Sequence, residues 1–396
     1  MNSSNGQRAK ALLLCIACGL AAILLQGCRS SDSGAPTENG GTIQTGGASG
    51  GSSGASGSSL GAQYVVAMLQ STKEKATDLT MSDVADLVES AVSKAGGLDF
   101  IKDGQTVVLK PNLPTFYVDA GTTIASLTAN GTATDWRVVK AVADLVRAKN
   151  PTGKILVMEG SILPTTVVYR LLGYDSGNFG SSVDEFIAIE GTECDDTSTT
   201  TLEQRTARSG KQYWVNSRFA AADVVISIPT MATDAWAGIG GAVESLGIGA
   251  TPAGQYGNAE NQDDCTRAKI DRRSPAATGE FIRDYYSLLP ADFVVIDGLQ
   301  GLQHGPLPVW DDSGTYAYEA SLMNMRLILA GKNAVTVDTV EAAVMRCDPK
   351  KVPHLTKLEA DGIGTTDTAK ITVVGKQVAE VAKAFAGKQT DICPGK

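Results

Sequence analysis

The chain has 396 residues, 43% of them hydrophobic, with 34 Lys and Arg against 43 Asp and Glu for a formal net charge of −9. No run of Lys and Arg occurs, which argues against a nucleic-acid partner, because phosphate binding draws on clustered cations. The apolar share is ordinary for a globular protein, and the stretch from about Tyr64 onward suits one large domain or two modest ones.

In chain order, Arg8 and Lys10 precede an apolar run, Ala11 to Leu25, which leads into LQGC at 25 to 28. A charged start followed by a short apolar stretch is a signal-peptide pattern, here residues 1–27. The apolar part falls short of the roughly 20 residues that a spanning helix needs, so a transmembrane anchor is the weaker reading. LQGC is similar to the bacterial lipobox, which makes Cys28 the expected lipidation site of an exported protein held to the membrane of the cell envelope. Residues 28–62 are rich in Gly and Ser and too poor in apolar residues to fold, so they read as a flexible tether. Residues 63–396 form the folded part.

The first helix is expected over 82–97, with Val84, Leu87, Val88, Ala91 and Val92 on one face, Ser82 as N-cap and Gly96 as stop. A strand, Thr106 to Leu109, comes next, then a helix over 134–151 with Val138, Val139, Val142, Leu145 and Val146 on one face, then a strand over 154–160. Strand, helix, strand is a βαβ unit, which implies parallel strands. The alternation continues with a helix over 167–173 and strands over 186–191, 223–229, 293–298, 334–338 and 371–375, the last followed by a helix. Near-continuous apolar strands suit a sheet covered on both faces. The fold class is therefore α/β, a mostly parallel sheet flanked by helices with Rossmann-like layering, interrupted by a polar, Thr-rich insertion from about Gly191 to Gly210. Beyond Cys28 lie Cys194, Cys265, Cys347 and Cys393, and an exported chain with an even number of cysteines is expected to hold at least one disulfide among them.

In an open α/β sheet ligands bind beyond the carboxyl ends of the strands. Lys110 and Asn112 in VVLKPNLP, Glu159, Thr230 and Asp297 all stand at such ends. Known motifs do not fit: Gly238 and Gly240 lack the third small residue of GxGxxG because Val243 stands there, and no GxxxxGK[ST] occurs. VESLG (243 to 247) lacks the first glycine of a nucleophile elbow. With only two histidines, His304 and His354, a Ser-His triad has few ways to form.

VVLKPNLP, TDWRVVKAVADLV, KILVMEG, ADVVISIP, GAVESLGIG, FVVIDGLQGLQHGP, GKNAVTVDTVEA and DGIGTTDTAKITVVG together resemble, in that order, the bacterial and archaeal family known as domain of unknown function 362. The resemblance runs from about Tyr64 to Gly375. It implies an α/β fold and no established reaction. Many members carry an iron–sulfur segment, but this chain has no cysteine cluster suited to a cluster of that kind, so none is expected. Lys110, Asn112, Asp297, Gly305, Pro306 and Asp338 match the family pattern. Where the family shows Lys-x-Lys-x-His and then Gly-Ala-x-Lys-Asn, this chain has Thr230, Ala232 and Asp234, then Gly241, Ala242, Val243, Glu244 and Ser245, so cations have given way to neutral and acidic groups.

Two readings follow. In the first, a strand-end cleft binds a small ligand, in catalysis or otherwise, through Lys110, Asn112, Glu159, Asp234, Glu244, Asp297, His304 and Asp338. The suited chemistry is a divalent metal, with Glu159, Asp234, Asp297 and His304 as candidate ligands. In the second, the domain is a non-catalytic surface or scaffold module.

Overall fold

The computed structural model describes residues 64–115, 128–190, 202–257, 267–305 and 318–395. Cys28, Cys194, Cys265 and Pro306 lie outside them.

The strands, in chain order, are β1 (Tyr64–Gln70), β2 (Thr106–Pro111), β3 (Lys154–Glu159), β4 (Glu185–Ala188), β5 (Leu202–Thr206), β6 (Gln212–Asn216), β7 (Val224–Ile228), β8 (Thr230–Asp234), β9 (Gly238–Ile239), β10 (Phe293–Leu302), β11 (Leu327–Gly331) and β12 (Ile371–Gly375). The main sheet runs β12-β1-β11-β10-β7-β2-β3-β4, with β8 beside β10 and β9 beside β8. Of the eight strands on the main path only β11 runs against the rest. The described part of the polar insertion is a separate antiparallel hairpin, β5 with β6.

Helices α1 (Met81–Lys94), α2 (Trp136–Lys149) and α3 (Thr165–Leu171) cover one face, where Val84, Val88, Val138 and Val142 pack with Val107, Leu109, Ile155 and Val157. Helices α4 (Gly241–Gly247), α5 (Pro275–Tyr286), α6 (Ala334–Val344) and α7 (Pro353–Ala360) cover the other, where Leu246, Ile282, Val337 and Leu355 join Val108, Met158, Val294 and Ile296. Two covered faces account for strands without polar alternation.

Three local expectations are corrected. Thr80, not Ser82, caps α1: its hydroxyl accepts from Asp83 N while the Asp83 carboxylate accepts from Thr80 N, a reciprocal box that Ser82 cannot make from inside the helix. AVTVD is helix rather than strand, because the Asn333 side chain accepts from Thr336 N and starts α6 there. Every residue from Ala334 to Ala342 is buried, so no polar side exposes the helical period, and the strand is the preceding β11. After β12 only the turn Val378–Val381 is helical. The chain then returns across β8 and β9, where Ile392 packs against Gly238, and is fastened by a Cys347–Cys393 disulfide.

Candidate functional site

β7, β2, β3 and β10 run parallel, so their carboxyl ends share one edge. There Lys110 and Glu159 meet. The Lys110 ammonium lies 2.9 Å from both carboxylate oxygens of Glu159 and 2.6 Å from Pro111 O, and both side chains are sealed from solvent. Glu159 also accepts from Leu113 N and Gly160 N, which tie down the turns that leave the two strands. Burial pushes the Lys110 ammonium below its ordinary value, with the carboxylates of Glu159 and Glu244 opposing that shift. The backbone at Gly249 closes over the pair: a methyl group there would stand 2.9 Å from the ammonium. Arg267 crosses the same edge, buried, and donates to Gly160 O, Ser161 O and Thr251 O. Asn112 contributes its backbone, donating to Thr134 Oγ1.

Asp297 does not join this pair. β10 runs on past the expected end because its second half pairs with β8, which leaves Asp297 inside the strand. Lys110 shares the pleat side of Val108, whereas Asp297 shares that of Phe293 and Val295, so the sheet separates them. Asp297 accepts from Asp135 N at 2.7 Å and Leu299 N at 3.0 Å, and Asp135 is clasped by the Arg137 guanidinium at 2.7 Å. Burial, then the neighbouring Asp135, raises the Asp297 carboxyl to about 7. His304 is an exposed residue at φ 60°, held by its backbone N–H to Ala386 O. Among the described residues no group of three or more His, Cys, Asp or Glu is placed to hold a metal, so Glu159, Asp234, Asp297 and His304 do not form the expected centre.

The remaining acids gather on the α4 side. Asp234 ends β8, and its Oδ1 accepts from Trp236 N and Ala237 N at 2.7 and 2.6 Å. Glu244 sits in the first turn of α4, half-buried. Burial, then Asp234, raises it to about 8, while Arg272 and Lys110 pull the other way. Among the described residues neither Asp234 nor Glu244 has an ion-pair partner in contact. The Arg272 guanidinium instead lies over the Trp236 ring, 4.7 Å from its centroid. A depression of about 560 Å³ lined by residues 268–273 adjoins it. Asp338 reaches across from α6 to accept from Ala242 N and Val243 N, both at 2.8 Å, and so starts α4. One turn further along α6, Glu341 is fully buried, and neither of its oxygens finds a hydrogen bond of good geometry.

Glu341, Arg267, Trp236 and Arg272 are absent from the expected set. Reading 334–338 as a strand hides the i, i+3 relation of Asp338 to Glu341, which a helical reading exposes. Arg267 and Arg272 stand in a stretch with no periodic signal.

A doubly covered, mostly parallel α/β sheet whose polar side chains collect at one carboxyl edge defines the class. The chain belongs to the family described as Domain of unknown function (DUF362), whose model matches residues 107–343. The match opens with β2 and ends in α6, and so leaves out the disulfide-bonded tail. Among solved structures the chain is similar to the lactate racemase apoprotein from Thermoanaerobacterium thermosaccharolyticum, at 12% identity and a TM-score of 0.38, covering 68% of this chain and 54% of that one. The chain thus spans about half the length of that protein. None of the curated proteins compared matches it.

Proposed function

We propose that this is an exported, lipid-anchored protein of the cell envelope whose α/β domain binds a small molecule at the carboxyl edge of the sheet, in front of Asp234 and Glu244. The observation that carries the reading is that pair of carboxyl groups, near enough for Asp234 to act on the charge of Glu244 and without a cationic partner in contact among the described residues, Asp234 buried and Glu244 half-buried. Burial raises both carboxyl groups, Glu244 to about 8, with the N–H groups of Trp236 and Ala237 opposing the shift on Asp234, so a positively charged ligand at this edge would favour their ionised forms. Lys110 and Glu159 lie behind them and hold the strand ends in register rather than touching the ligand. Export is supported by the charged start, the apolar run, LQGC and the Cys347–Cys393 bridge, which suits an oxidising compartment.

The scaffold reading draws on a different observation: Lys110 and Arg267, the cations nearest the strand ends, are spent on internal partners. A thermal-shift screen of the purified protein against small organic acids, amines and divalent metals separates the two. A compound that stabilises the protein but not its Glu244→Gln variant supports the binding site. A screen in which nothing depends on Glu244 leaves the scaffold.

A further inference from the structure

We infer that the ligand of this edge is an organic cation, a guanidinium or ammonium compound, and that Arg272 occupies its place in the free protein. This rests on the small-molecule reading above and adds the ligand's chemical class.

Trp236 is partly exposed, and its backbone N–H donates to Asp234 Oδ1, so aromatic face and carboxylate are built into one turn. An aromatic face beside carboxylates is a general receptor for cations, because the ring quadrupole and the anion act on the same charge. Arg272 already uses it, with its guanidinium 4.7 Å above the ring centroid and its charge acting on both Asp234 and Glu244.

Little else holds Arg272 there. Its neighbours are anchored: Arg267 by backbone carbonyls, and Arg273 by a 2.6 Å contact with Asp271. Among the described residues Arg272 itself makes no hydrogen bond or ion pair, so its head can leave the ring while the segment stays in place.

Independently, acid groups outnumber cations around the site. Glu341 is fully buried with neither oxygen well hydrogen-bonded, and it lies against the first residue of the helix that carries Glu244: a side chain on Gly241 would stand 2.7 Å from Glu341 Oε2. Asp234, Glu244, Asp338 and Glu341 therefore share one region, where Lys110 is committed to Glu159 and Arg272 is the cation at the mouth. An incoming cation that displaces Arg272 replaces its charge and its ring contact together. Arg272 acts as a tethered competitor, which weakens apparent affinity by the fraction of time it sits on the ring.

The test uses the full chain in detergent, titrated with agmatine as the cationic probe and succinate as the anionic one, followed by calorimetry and tryptophan fluorescence. Arg272→Gln is expected to bind agmatine about tenfold more tightly than the unaltered protein, as removal of an intramolecular competitor requires. Adding Glu244→Gln should abolish that binding. If Arg272→Gln does not fold, Arg272→Lys serves, because an ammonium stacks on the ring less well and agmatine affinity should still rise. Succinate binding without agmatine binding overturns the cationic class and leaves the small-molecule reading in place. Folded variants that bind neither probe overturn this inference, while the wider screen decides the other.

Discussion

Lys110 and Glu159 form an ion pair 2.9 Å long at the ends of adjacent parallel strands, with both side chains shut off from water. Burying two charges is costly, and the pair persists because Pro111 O, Leu113 N and Gly160 N satisfy the remaining polar positions. Lys110→Met leaves Glu159 as an uncompensated buried carboxylate and is expected to cost about 3–5 kcal/mol in urea denaturation. Lys110→Met with Glu159→Leu should recover part of that loss, but not the part owed to the two freed N–H groups. A cost below about 0.5 kcal/mol for the single change, as at a solvated surface lysine, would refute the sealed pair.

Acid groups dominate the expected pH dependence. Burial first of all holds Glu190, Asp297 and Asp338 at about 7 and Glu244 at about 8. The folded protein keeps protons that the unfolded chain releases above about pH 4–5, so stability from these groups is full below that range and is lost as pH rises through 7 and 8. His354, held at about 3 by burial, acts in the opposite sense. Stability falls as pH drops below about 6.5, where the unfolded imidazole takes up a proton and the folded one does not. Four groups outweigh one, so Tm should peak near about pH 5 and decline towards pH 8.5. Glu244→Gln should flatten the decline. A Tm that climbs steadily from pH 6 to 8.5 would contradict the buried protonated carboxyls.

The Cys347–Cys393 bridge spans 46 residues and pins the tail across β8 and β9. Replacing both cysteines by serine is expected to cost up to about 2–5 kcal/mol, towards the lower end in a domain of this size. Thiol counting under denaturing, non-reducing conditions checks the bridge itself. Free thiols at both positions would rule it out.

Cys28→Ser tests the anchor. Loss of lipidation should leave the precursor unprocessed or release the protein from the membrane fraction. Unchanged processing and unchanged membrane association would remove the lipoprotein reading.

Much of the fold was legible because helical faces such as Val138, Val142 and Val146 alternate with short apolar strands, a pattern that admits few arrangements. Lys110 and Glu159 could be brought together from sequence, since both end strands of one βαβ unit. Asp297 could not be separated from them: which side of the sheet it faces depends on where β10 starts, and its position inside the strand depends on the later pairing with β8. The start of α6 was illegible for a different reason, because a segment buried on all sides carries no amphipathic period. Glu341 was lost with it.

Gly241 and Asp338 allow the α4 end of the site to be tested without reference to any ligand. Gly241 has φ +75°, a conformation that side chains disfavour, and a methyl group there would stand 2.7 Å from Asp338 Cγ. Gly241→Ala should therefore cost about 2–4 kcal/mol, combining backbone strain with collision. Asp338→Ala should cost about 1–3 kcal/mol, because it strands the N–H groups of Ala242 and Val243. The two penalties share part of their cause, since removing the Asp338 carboxylate relieves its share of the collision and leaves the contact with Glu341 Oε2 and the strain at φ +75°. The double variant is thus expected to lose less than the sum of the singles, by more than the roughly 0.5 kcal/mol scatter of independent sites. Additivity within that scatter would mean that the Asp338 carboxylate does not stand over Gly241, and the placement of Glu341 beside it would fall as well.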